Sequence, residues 1–322
     1  MLYTLLKPYT RLAIKIFCRH IVITNKAMLQ SKGPLLLAAN HPNSFLDAVI
    51  INTLFNQPVY SLARGDSFKN KHIAALLRKL RILPVFRERE GKQNLHRNYD
   101  TFDECQQIFK RNGIVLIFIE ALCENEWHLR PLKKGTARVA VTAWQQGLPL
   151  KVVPVGINYS SFYLFGKNVH LHLGKPVCRQ QLTSELSDNG KIQLELTSIL
   201  QSDLKKMVYE IEQQDKERQK QVFSKPVPVA KKIALALPAA AGAVLHAPLY
   251  LPVQQLVKYK AKNSVHYDSI ITGLLFILYP LYVLLWAILA GVIVNGWAGG
   301  ITFFLMPFFA WSFVQLKHQT DR

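Results

Sequence analysis

PLLLAANHPNSFLDAV, residues 34–49, decides the fold of this chain. Its first six residues are a short apolar run of the kind that makes a fully buried strand. Asn40-His41-Pro42-Asn43 then interrupts the run and suits the mouth of a helix. Strand, loop and helix in so short a stretch begin an α/β domain, and the pattern continues downstream. PVYSLA (58–63) and ILPVF (82–86) read as strands, with a helical segment around residues 69–80 between them. IVLIFIEA (114–121), apolar after Gly113 and rich in β-branched residues, reads as the central strand. A helix is expected over 136–146, a strand over LKVVPVGINYS (150–160), and an outer strand over VHLHLGKPV (169–177). Residues 193–222 are polar and helical. The fold class is therefore α/β, a mixed and mostly parallel sheet flanked by helices.

The rest of the chain points to a membrane. Its 322 residues carry a net charge of +20, which calls for a polyanionic partner. Half of the residues are apolar, and the mean hydropathy is +0.10 despite 40 Lys and Arg. Basic nucleic-acid modules lack that combination with long uncharged runs, so membrane lipid is the expected partner and nucleic acid is not. Residues 1–28 read as an N-terminal interfacial helix: Lys7, Arg11, Lys15 and Arg19 recur at every fourth position, opposite Leu5, Leu12, Ile16 and Phe17. The catalytic domain is expected over 29–222. Residues 223–262 form a basic, proline-containing linker, within which 233–253 is expected to be re-entrant or interfacial because it holds three prolines. Residues 263–322 hold two uncharged runs, 269–290 and 291–314, with a turn around Asn295-Gly296. Lysines flank the pair and none lies within it, which predicts a transmembrane hairpin with both ends cytoplasmic and the catalytic domain on that face. Cys18, Cys105, Cys123 and Cys178 are far apart and lack metal-ligand spacing, so neither a disulfide framework nor a structural zinc site is expected.

Within the opening stretch, His41 and Asp47 carry the sharpest chemistry. Neutral imidazole is the side chain best poised near pH 7 to take a proton from a hydroxyl, and a carboxylate on its other ring nitrogen fixes the tautomer. Six positions place the two residues about 120° apart on one helix, so they meet only if His41 sits in the loop and folds over a first turn that carries Asp47. An acidic group in that turn is favoured by the helix dipole. Asn43 lies between them and is a candidate substrate contact.

Two further blocks supply charge. Arg87 follows the strand ILPVF directly, where α/β sheets place ligand groups, and a guanidinium suits a phosphate. Glu120 ends the central strand in Phe118-Ile119-Glu120-Ala121, where a carboxylate serves a site better than packing. Arg130, Lys133 and Lys134 then precede Gly135-Thr136 and a helix whose amide groups suit an anion.

Taken in order, these blocks resemble the glycerolipid acyltransferase family, over about residues 30–180. His41 and Asp47 stand where that family has its histidine–aspartate pair, with five residues between them instead of the usual four. LPVFR up to Arg87, IFIEA around Glu120 and VVPVGI around Pro154 look like the second, third and fourth motifs. Ile119 and Ala121 replace the proline and glycine of the third. The resemblance implies a cytoplasm-facing enzyme without a cofactor or a metal. His41, oriented by Asp47, would move an acyl group from acyl-CoA or acyl-carrier protein to a lysophosphatidate in phospholipid biosynthesis. Arg87, Glu120, Arg130, Lys133, Lys134 and Asn43 would hold the acceptor. The alternatives are acylation of glycerol 3-phosphate, acylation of an amino-acid-containing lyso-lipid, and a non-enzymatic role in binding anionic lipid.

Overall fold

The computed structural model describes residues 2–86, 97–262 and 264–320. The chain begins with α1 (Leu2–Phe17), β1 (Cys18–Thr24), β2 (Leu35–Ala39), α2 (Phe45–Leu54), β3 (Val59–Arg64), α3 (Lys71–Lys79) and β4 (Ile82–Val85). It continues through α4 (Arg97–Lys110), β5 (Ile114–Phe118), α5 (Gly135–Gln145), β6 (Lys151–Tyr159), β7 (Lys167–Leu173) and β8 (Val177–Cys178). Helices α6 (Asn189–Met207), α7 (Lys216–Phe223), α8 (Val229–Ala261), α9 (Tyr267–Ile293) and α10 (Gly296–Leu316) complete it.

The strands form one sheet in the order β1-β7-β6-β2-β5-β3-β4, with β8 beside β6. From β6 to β4 all neighbours are parallel, whereas β7 runs antiparallel to β6. Alternation along β2 builds both sides of the core: Leu35, Leu37 and Ala39 pack toward α2, and Leu36 and Ala38 toward α5 and α6. Because β2, β3, β4, β5 and β6 point the same way, their carboxyl ends gather at one edge. Ala39 there stands level with Phe118 and Val155. That edge is where an open α/β sheet presents its ligand groups.

Three expectations change. The N-terminal helix stops at Phe17, and CRHIVIT makes β1 instead, parallel to β7. The β-branched run Ile21-Val22-Ile23-Thr24 favours the extended chain. The strand read as outermost, β7, is consequently covered by β1 and lies one in from the edge. Two basic residues of α1 also reach the end of α2 instead of a lipid surface. Lys7 Nζ donates to the carbonyls of Phe55 and Asn56 at 2.6 and 3.2 Å, and Arg11 Nε to that of Thr53 at 3.0 Å. These cations satisfy the orphan carbonyls where α2 ends. Leu5 and Leu12, 71% and 53% exposed, are left on the outer side.

The segment expected to be re-entrant or interfacial lies in α8, a continuous helix through Pro238, Pro248 and Pro252. Among the described residues three helices, α8, α9 and α10, are thus long and apolar enough to cross a membrane. Contacts separate α8 from the other two. Lys231 bonds to Gln315 near the end of α10, at 2.7 Å, while Val257 packs with Tyr267 and Ile271 at the start of α9. Both ends of α8 therefore meet the same end of the α9–α10 hairpin. On a straight helix Lys231 and Val257 would stand about 39 Å apart. Two packed helices are only about 10 Å between axes, so α8 must bend, which its prolines permit. Its middle reaches further along the hairpin, where the Tyr282 hydroxyl donates to Leu245 O at 2.6 Å.

Candidate active site

Residues leaving β2 build the centre. The side chain of Asn40 extends the ladder past the strand, accepting from Ile157 N–H at 2.8 Å and donating to Ile157 O at 3.0 Å. His41 follows, and the chain bends at Ser44, with φ 52° and ψ −137°, before α2 begins. Asp47 then falls in the first turn of α2 and is fully buried. Its Oδ2 accepts from His41 Nδ1 at 2.8 Å and from Asn43 N–H at 2.8 Å. Its Oδ1 accepts from the Tyr159 hydroxyl at 2.7 Å. A buried carboxylate needs such donors, and here they come from loop, helix entrance and β6.

This arrangement selects one imidazole tautomer. With the hydrogen on Nδ1 directed to Asp47, Nε2 keeps its lone pair and can accept a proton. The ring lies flat against Phe118, centroids 3.8 Å apart and planes within 9°. Its side chain stays 17% exposed, so the imidazole is held but reachable. Burial, reinforced by the charge of Asp47, pushes the Tyr159 phenol well above its ordinary value and keeps it a donor.

Glu120 is tied to the same loop. One carboxyl oxygen accepts from His41 N–H at 2.7 Å and the other from Arg130 N–H at 2.9 Å. Burial pushes its carboxyl up to about 7, outweighing the two backbone bonds that favour the charged form. Ala121 beside it has φ 54°, so the backbone adopts a glycine-like conformation although the side chain is alanine.

The other expected site residues divide. Arg130 is brought close by Glu120, but its guanidinium is paired with Glu126 at 2.6 Å. Lys133 donates its backbone N–H to Ile119 O at 2.8 Å, and both Lys133 and Lys134 are exposed where α5 begins. Asn43 needs correction as a substrate contact: it is fully buried, and its amide is bonded to Asp268 at 2.7 Å. Arg87 lies outside the described residues. Beside the loop, Arg64, Asp66, Ser67, Lys69 and His266 line an open cleft.

Phe118, Tyr159, Asp268 and His266 also belong to this centre, and the sequence reading did not single them out as site residues. An aromatic residue at each of two strand ends was the available signal for Phe118 and Tyr159. Asp268 is an acidic residue at the threshold of a long apolar run. Among the described residues, no cluster of His, Cys, Asp and Glu is placed to hold a metal ion.

The family model named Acyltransferase matches residues 20–158. That segment contains β2, α2, β5 and most of β6 with the His41–Asp47 loop, and over it the chain is similar to acyltransferases. No curated protein matches the chain. Among solved structures the chain is similar to the crystal structure of the 1-acyl-sn-glycerophosphate (LPA) acyltransferase PlsC from Thermotoga maritima. Identity is 19% and the TM-score 0.49, over 69% of this chain and 81% of that one.

Proposed function

We propose that this domain moves a fatty acyl group from acyl-CoA or acyl-carrier protein to the hydroxyl of a lysophosphatidate. The observation that carries the reading is the His41–Asp47 pair, bonded at 2.8 Å with Nε2 left to meet an acceptor. In the reaction Nε2 takes the hydroxyl proton as the acceptor oxygen attacks the thioester carbonyl. The buried Asp47 carboxylate stabilises the imidazolium that forms. The tetrahedral adduct then collapses, the C–S bond breaks, and the departing sulfur takes the proton back from Nε2. No serine or cysteine nucleophile is needed, because the acceptor supplies its own oxygen. Lys133 and Lys134, exposed at the start of α5, supply positive charge for the acceptor phosphate. The lysines that flank the α9–α10 hairpin favour a catalytic domain on the cytoplasmic face.

Membranes containing the full chain, given labelled acyl-CoA and labelled acyl-carrier protein in turn, decide the reading. Label should pass to lysophosphatidate in preference to glycerol 3-phosphate and to an amino-acid-containing lyso-lipid. His41→Ala and Asp47→Ala should each lower the rate by about a thousandfold or more. Transfer that survives both substitutions would remove the pair from the chemistry, and preference for another acceptor would replace lysophosphatidate.

A further inference from the structure

The entrance of α9 grips the His41–Asp47 loop from the far end of the chain. Asn43 Nδ2 donates to Asp268 at 2.7 Å. Leu46 N–H donates to the Ser269 hydroxyl at 3.1 Å, and that hydroxyl donates to Asn43 O at 3.3 Å. The Ser44 hydroxyl lies 2.5 Å from His266 Nδ1. Asp268 also pairs with Lys167, and both are buried, at 1% and 0% exposure. Lys167 Nζ in turn lies 5.8 Å from the centre of the Tyr159 ring. Two routes therefore join Asp268 to the Asp47 carboxylate: one through Asn43, whose backbone N–H binds it, and one through Lys167 and Tyr159.

A buried ion pair contributes little net stability, and an apolar pair of similar volume does as well. An apolar pair cannot accept the hydrogen bond from the Asn43 amide. We infer that Asp268 is a positioning residue for acyl transfer, holding Asn43, and through it Asp47, where His41 Nε2 faces the acceptor. A helix long enough to cross a membrane thereby becomes one wall of the active site. The inference rests on the acyl-transfer reading above.

Two double variants of the full chain test it. Lys167→Met with Asp268→Asn keeps an oxygen for the Asn43 amide, and Lys167→Met with Asp268→Leu removes it. Neither leaves an unpaired buried charge. The leucine variant should lose about 10- to 100-fold in kcat with KM for the acceptor changed less than about twofold. The asparagine variant should keep at least about half of the kcat. The leucine variant should also melt a few °C below the asparagine variant, because it leaves the buried Asn43 amide without an acceptor. Nitrogen NMR of the His41 ring, assigned by its loss in His41→Gln, gives a readout that needs no turnover. Wild type and the asparagine variant should show the Nδ1–H tautomer, and the leucine variant a mixture. A leucine variant with wild-type kcat and tautomer overturns the inference. So does a loss of kcat shared equally by both variants, which would mark the pair as packing. If wild type transfers nothing, the acyl-transfer reading fails instead, and the tautomer comparison alone then decides the role of Asp268.

Discussion

The hydroxyl of Tyr159 and the carboxylate of Asp47 lie 2.7 Å apart, joining the end of a strand to the first turn of a helix 112 residues earlier. The contact exists because β6 runs on past the last residue of β2, so that its end stands over the loop. Removing the hydroxyl leaves a buried oxygen of Asp47 without a partner. Tyr159→Phe should cost about 1–3 kcal/mol of stability. Because Asp47 also loses one of its restraints, kcat should fall by about tenfold, with KM little changed. Thermal melting and steady-state kinetics on the same preparation check both, and an unchanged kcat would confine Tyr159 to a packing role.

Ala121 supplies a second prediction. An L-residue in the left-handed region carries about 1–2 kcal/mol of strain, part of which glycine gives back through its freer unfolded chain. Ala121→Gly should therefore stabilise the protein by roughly 0.5–1 kcal/mol. Activity should be unchanged, since φ 54° already has the shape glycine would adopt. A lower melting temperature in the glycine variant would show that the methyl group contributes more by packing than it costs in strain.

Glu120 gives a pH dependence with a defined sign. Its carboxyl is raised from 4.5 to about 7 by burial, so the folded chain holds this proton more tightly than the unfolded one. That contribution is complete below the unfolded value and is lost as pH rises through about 7. Melting curves between about pH 5 and about pH 8 should show stability from this group declining, and Glu120→Gln should remove that component. A Gln variant with the same slope as wild type would assign the pH dependence elsewhere.

Lys7 tests the packing of α1 against the end of α2. With its amine bonded to Phe55 O and Asn56 O, Lys7→Met should destabilise the domain by about 1 kcal/mol through loss of a helix-end partner. Leu12→Gln, on the exposed side, should leave melting in detergent unchanged to within about 0.5 kcal/mol. The opposite ranking, measured by chemical denaturation, would mean that the lysine side faces outward.

Much of the fold was legible because the central strands announce themselves. β2 and β5 are continuous apolar runs next to turn signals, and a parallel strand buried on both faces has no other way to look. The His41–Asp47 contact was legible too, since a six-residue spacing can close only across a loop-to-helix junction. β1 was hidden because lysines and arginines at every fourth position carry a helical rhythm on through Arg19, past the point where the strand begins. In α8 the prolines hid the helix, because an apolar helix packed against neighbours tolerates them better than one in water. The partnership of Asp268 with Asn43 spans 225 residues, and no local pattern encodes a meeting so distant. Asn43 was misread for the same reason: nothing near it in sequence shows what its amide will find.

The shared carboxylate of Glu120 has one more consequence. Because its two oxygens hold the backbone of His41 and the backbone of Arg130, the gap between the base and the basic segment leading to Lys133 is set by the width of a single carboxyl group. Such a bracket behaves like a calliper. Under the acyl transfer proposed above, it would measure how far an acceptor's reacting oxygen lies from its own negative charge, and a molecule with the wrong separation would engage one jaw only.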